Sequence, residues 1–204
     1  MDVVSWDLDG TLYELPALER ALMWLALKRL FRAPFRTWRE LRWLGRHQRH
    51  HAAVRRRGGL DGLEAPWDAS AWQDVADRWF PPGLRVVGLH PGARGVLDAI
   101  DAAGVRQVLV SDYVADAKLV ALGLEDRFDA VFSGEELGVI KPSPLLFEHV
   151  CRTLQVRPDR LLHLGDRHDA DGLSARDAGC QVRIVRPRDL VTLEVVTGWD
   201  AGLQ

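Results

Sequence analysis

Acidic residues gather at three points of this sequence, each directly after a short apolar run. Asp7 and Asp9 stand in Asp7-Leu8-Asp9-Gly10-Thr11. Ser111-Asp112 forms the second point, and Gly165-Asp166, with Asp169 and Asp171 beyond, the third. Lys141 lies between the last two, before Pro142 and at the start of a helical pattern. The apolar runs read as buried strands, and in an open α/β sheet the carboxyl ends of such strands meet along one edge. Carboxylates converging there repel one another unless a cation joins them. Oxygen ligands without a Cys or His pair suit a hard ion, Mg²⁺. Mg²⁺ with Lys and Ser nearby in turn suits a phosphoryl group, whose oxygens need neutralising during transfer. Singly, these features are weak, since Asp-Gly after a strand is commonly only a turn. Their order, each member after a strand or at a helix start, carries the signal.

The elements that must position these residues follow from periodicity. Residues 3–8 predict a short strand that stops at polar residues. A helix is expected from Pro16 to the break at Pro34, a second over 35–54, and a third from a cap at Asp68 to Trp79, with glycines 58, 59 and 62 in a loop between. After Pro91-Gly92, helical patterns to Ala103, over 116–122, 143–154 and 170–178 alternate with strands over 107–110, 130–132, 161–164 and 182–185. This alternation predicts an α/β fold, a Rossmann-like parallel sheet with helices on both faces, carrying a small α-helical insertion after the first strand.

The motifs resemble those of the haloacid dehalogenase superfamily. The likeness rests on Trp6-Asp7-Leu8-Asp9-Gly10-Thr11-Leu12, Val110-Ser111, Gly138-Val139-Ile140-Lys141-Pro142-Ser143-Pro144, and His163-Leu164-Gly165-Asp166 through Asp171, in that order. It implies a catalytic core of residues 1–14 and 88–204 and a helical cap of residues 15–87. It further implies that Asp7 is the nucleophile that forms an aspartyl phosphate and that Asp9 protonates the leaving oxygen and then activates water. The side chains of Asp7 and Asp166 and the backbone carbonyl of Asp9 would hold Mg²⁺. Ser111 would bind a phosphoryl oxygen, Lys141 would offset developing negative charge, and Asp171 would orient the metal's surroundings or Lys141. Gly10, Thr11 and Asp112 are expected beside the substrate. Asp112 stands where relatives often carry Asn or Gly, Arg167 replaces a small residue, and Ala170 a frequent Asn. Dehalogenases generally lack an acid at the place of Asp9, because halide leaves without a proton; hydrolysis of a small phosphomonoester is therefore favoured. A phosphomutase would share the same acids.

Composition sets the outer bounds. The 204 residues are 47% hydrophobic and 27% charged, which suits a folded globular chain rather than a disordered one. No apolar run approaches the ~20 residues that span a bilayer, and the chain opens on no secretory signal. Cys151 and Cys180 read as buried small hydrophobes, so a cytoplasmic setting is expected. Residues 28–57 hold eleven Lys or Arg against one acid, Glu40. Arg32, Arg36, Arg39, Arg42, Arg46 and Arg49 recur along one helix side, either as a solvated face or as a surface for polyanions such as nucleic acid. Six of the eight Trp fall in the insertion, where they are expected to fill a helical core. His47 and His51 form an i, i+4 pair of the kind that binds zinc, but the surrounding arginines and the lack of a nearby acid favour a structural role. His90 and His163 do not read as catalytic.

Overall fold

The computed structural model describes residues 1–60 and 69–190, without the side chains of 69–72. The expected cap at Asp68 and the side chains of Trp67 and Trp72 lie outside the described residues. β1 (Val3–Trp6), β2 (Arg106–Ser111), β3 (Ala130–Ser133), β4 (Leu161–Gly165) and β5 (Gln181–Ile184) form one sheet in the order β3-β2-β1-β4-β5, with every pairing parallel. The chain builds outward from β1 through β2 and β3, then crosses to the other side for β4 and β5. A reversal of this kind opens a crevice at the carboxyl end of the central strand. Trp6 pairs in register with Leu109 on one side and Leu164 on the other, so Asp7, Ser111 and Asp166 come off three neighbouring strands at one edge.

Strand β1 is buried along its whole length, as expected for a central strand covered on both faces. One apolar cluster joins Val4, Trp6, Leu97 and Ile100 on one face; a second joins Val3, Val110, Phe147 and Val150 on the other. α4 (Ala93–Ala102) and α5 (Asp116–Leu122) contribute to the first layer, and α7 (Leu145–Leu154) and α8 (Leu173–Asp177) to the second. Trp6 Nε1 donates to Gln107 Oε1 at 3.0 Å, so the largest core side chain also has its polar atom satisfied. Cys151 and Cys180 are buried in the second cluster with their sulfurs 3.7 Å apart.

Among the described residues, three helices lie between β1 and α4 in the chain: α1 (Leu15–Arg32), α2 (Pro34–Arg56) and α3 (Ala69–Val87). α3 runs well past Trp79, where sequence pattern places its end, and through Pro81-Pro82. Burial of Trp79 and Leu84 on either side of the two prolines holds the helix together against their missing N–H groups.

The interior of the insertion differs from expectation. Trp79 is fully buried, but Trp24 and Trp38 are 64% and 58% exposed, so tryptophan does not fill this core as a class. Its centre is Glu40, the one acid of the basic segment. The Glu40 carboxylate accepts from Trp79 Nε1 at 2.8 Å, from Arg78 Nε at 3.1 Å and from Arg36 Nε at 3.1 Å, with Arg29 at 3.7 Å. Burial raises the Glu40 carboxyl, yet its hydrogen bonds from Trp79 and Arg36 hold it below the usual glutamate range. One carboxylate thus ties α1, α2 and α3 together.

Among the described residues, no helix is long and apolar enough to cross a membrane.

Candidate active site

The turn after β1 aims Asp7 at the crevice, its backbone N–H donating to Leu164 O at 2.8 Å. Lys141 reaches the same point from the loop before α7. Its Nζ donates to Asp7 Oδ1 at 2.6 Å, to Asp171 Oδ1 at 2.6 Å and to Val110 O at 3.2 Å. Thr11 Oγ1 donates to the other Asp7 oxygen at 3.2 Å. Burial works against the Lys141 charge, but Asp171 and Asp7 outweigh it and hold the ammonium above the usual lysine range. Burial pushes the Asp7 carboxyl well up, against the pull of Lys141 and with Asp171 and Asp9 adding to the rise.

Oxygens of Asp7, Asp166 and Asp171 all lie within 4.8 Å of one another. Burial, aided by Asp171, pushes Asp166 up to about 6, so the cluster is short of positive charge even with Lys141 present. An all-oxygen, charge-deficient set of this kind fits a hard divalent cation such as Mg²⁺.

Two glycines make the cluster sterically feasible. Gly10 has φ of +99°, and a Cβ there would stand 2.5 Å from Asp166 Oδ2. At Gly165 a Cβ would stand 2.3 Å from Asp171 Cγ. The backbone must pass this close for the carboxylates to meet.

Asp171 is carried by a wide helical turn, His168–Gly172, closed by Gly172 N–H donating to Arg167 O at 3.0 Å. The pattern 170–178 expects an ordinary helix here; the wider turn instead swings Asp171 inward. Its Oδ1 meets His163 Nε2 at 3.1 Å as well as Lys141, and its Oδ2 accepts from Arg167 N–H at 3.0 Å. Burial raises Asp171, but Lys141 and His163 hold it far below the usual carboxylate range. Asp169, named with it in the sequence, is turned outward and paired with Arg167 at 2.6 Å.

Asp9 faces the same cleft. Lys118 Nζ grips both of its oxygens, at 2.7 and 2.6 Å, and the Tyr13 hydroxyl donates to Oδ1. Ser111 ends β2, buried, and accepts from Tyr113 N–H at 3.1 Å. Asp112 accepts from Lys141 N–H at 2.9 Å and pairs with Arg55 of α2 at 2.7 Å, so a guanidinium offsets its charge. The cleft wall is mixed: Leu15, Leu18 and Phe80 give it an apolar side, and Arg55, Gln48 and His47 of α2 a polar one.

Sequence reasoning missed Lys118, Tyr13, Arg55 and the bond from His163 to Asp171. Tyr13 stands four residues after Asp9, the one signal within local reach. Glu135, on α6 (Gly134–Leu137), meets His47 and His51. It supplies the acid that the sequence around the histidines lacks.

A sequence model of haloacid dehalogenase-like hydrolases matches residues 1–179. The chain belongs to that family. Within this hydrolase family it is 29% identical to a glyceraldehyde 3-phosphate phosphatase of Methanopyrus kandleri, over 90% of this chain and 83% of the relative. It is 27% identical to a ribulose-1,5-bisphosphate 5-phosphatase of Halopiger xanaduensis, over 91% and 85%. Among solved structures, a 2-haloacid dehalogenase from Pseudomonas syringae pv. Tomato superposes with a TM-score of 0.63 at 27% identity, covering 99% of this chain and 90% of that one.

Proposed function

We propose that this hydrolase releases phosphate from a small phosphomonoester, with Asp7 as nucleophile and Asp9 as proton carrier. The observation that carries the reading is Asp7 itself: a buried carboxylate at the end of the central strand, fixed at one oxygen by Lys141 and at the other by Thr11, with Asp9 on the same cleft. In the first step an Asp7 oxygen attacks phosphorus as the ester P–O bond breaks, and Asp9 gives its proton to the departing alkoxide. In the second, Asp9 takes a proton from water as that water attacks phosphorus, releasing phosphate and restoring the Asp7 carboxylate. Lys141 stays within reach of both Asp7 and Asp171, so its ammonium offsets charge gained by the phosphoryl oxygens. Ser111, at the end of β2, is the proposed hydroxyl partner of one such oxygen, with Gly10, Thr11 and Asp112 shaping its surroundings. Asp7 and Asp166, with the Asp9 carbonyl, would hold Mg²⁺, which supplies Lewis-acid neutralisation of the phosphoryl group. Asp171 is a positioning residue for Lys141.

In this reading residues 15–87 are a cap over a core of residues 1–14 and 88–204. Both phosphatase relatives are named for small phosphate esters, which supports a metabolite as substrate. The dehalogenase likeness is answered by Asp9, whose proton an alkoxide needs and a halide does not. Purified protein with Mg²⁺ should release phosphate from an aryl phosphate, and Asp7→Asn should abolish release. Halide release from a 2-haloacid without phosphatase activity would overturn the reading.

A second reading rests on the basic stripe, since Arg32, Arg36, Arg39, Arg42, Arg46 and Arg49 are all exposed and none lines the cleft. It predicts salt-sensitive nucleic-acid binding that Arg46→Glu with Arg49→Glu removes.

A further inference from the structure

We propose that His47, His51 and Glu135 form a binding site for a transition-metal dication of the zinc class, bridging α2 and α6 on the wall of the cleft. The site is distinct from the carboxylate cluster and does not depend on the phosphatase reading.

The geometry begins with spacing. Residues four apart share a helix face, and the two imidazoles lie with ring centroids 4.4 Å apart. Both Nε2 atoms point at one oxygen: His47 Nε2 is 2.6 Å and His51 Nε2 2.9 Å from Glu135 Oε1. The three ligand atoms lie within 4.8 Å of one another. Ligands about 2.0–2.1 Å from a tetrahedral zinc stand about 3.3 Å apart. The two N···O distances of 2.6 and 2.9 Å would therefore open by about 0.7 and 0.4 Å to turn this hydrogen-bonded triad into a metal-bound one.

The surroundings fix the ligands. Glu135 Oε2 accepts from Val114 N–H at 3.2 Å, and Glu135 N–H donates to Asp112 O at 3.1 Å, so the carboxylate is held from behind. The His51 ring stacks on Tyr113 at 4.7 Å, while its Nδ1 has no partner among the described residues. Both histidines are nearly fully buried.

The arginines of α2 do not oppose a cation here: Arg55 is neutralised by Asp112, and Arg46 and Arg49 are exposed.

Two nitrogens and one oxygen suit zinc rather than magnesium. Because His47 and Glu135 line the cleft, a fourth position is open to water or to an oxygen of a bound ligand.

The test uses the full chain, stripped of metal, saturated with Mg²⁺, then given equimolar Zn²⁺ or Co²⁺ and desalted. About one zinc per chain should be retained, and Co²⁺ should show the strong visible absorption of a four-coordinate site. His47→Ala with His51→Ala should abolish both, while Asp166→Asn should leave both intact. Glu135→Gln should weaken zinc binding by about tenfold or more, and it decides the matter if the double histidine variant fails to fold. No retained zinc, retention unchanged in the histidine and Glu135 variants, or retention lost only with Asp166→Asn would each overturn the assignment.

Discussion

Lys141 Nζ stands 2.6 Å from Asp7 and 2.6 Å from Asp171, one ammonium between two buried carboxylates. Removing it should affect stability and turnover together. Lys141→Ala should lower kcat for an aryl phosphate by about 10²–10³. It should also cost about 3–5 kcal/mol of stability, because two carboxylates are left buried without a counter-charge. Melting curves with and without Mg²⁺ check the cause: the loss should be smaller with the cation present.

Asp9→Asn should separate leaving groups. Alkyl phosphates release an alkoxide, a strong base that needs a proton, so kcat/KM, which reports formation of the aspartyl phosphate, should fall by about 10²–10⁴. Nitrophenyl phosphate releases a weakly basic phenolate, and its kcat/KM should fall far less. Equal losses of kcat/KM for both would remove Asp9 from the role of acid.

Glu40→Ala should destabilise the protein by about 3 kcal/mol, since three arginines and the Trp79 N–H lose a shared partner. The sign of the pH effect follows from its lowered carboxyl. Stability from Glu40 is fully present above the unfolded-state value of about 4.3 and is lost as pH falls through the lower folded-state value. Denaturant midpoints measured down the acid range should fall less steeply in Glu40→Gln than in the parent.

Gly10→Ala should weaken Mg²⁺ binding, in addition to the backbone strain that φ of +99° imposes on alanine. The added Cβ would meet Asp166 Oδ2 at 2.5 Å and displace it. A rise of about tenfold or more in the Mg²⁺ concentration needed for half-maximal activity is expected.

The sheet was legible because its signals are local. An apolar run that stops at Asp7, Ser111 or Asp166 declares both the strand and the end that matters. The partners of those residues were not. Lys118 meets Asp9 across 109 positions, His47 meets Glu135 across 88, and Arg55 meets Asp112 across 57. The last two depend on how α2 docks on the sheet edge and the first on how α5 packs beside it, which periodicity does not encode. Trp24 and Trp38 misled for a related reason: residue type shows what burial would favour, not which side of a helix receives it. Glu40 reads in sequence as a minor exception in a basic run, and only assembly of three helices shows it at their centre.

The end of α2 has one further effect. Gly59 O accepts from Ile140 N–H at 2.9 Å, and Arg55 pairs with Asp112, which in turn accepts from Lys141 N–H. Both attachments stop within one residue of the lysine that pairs with Asp7. In the proposed reaction, lifting the helices to admit or discharge a molecule would slacken that lysine in the same movement, leaving the enzyme least reactive whenever bulk solvent had free entry.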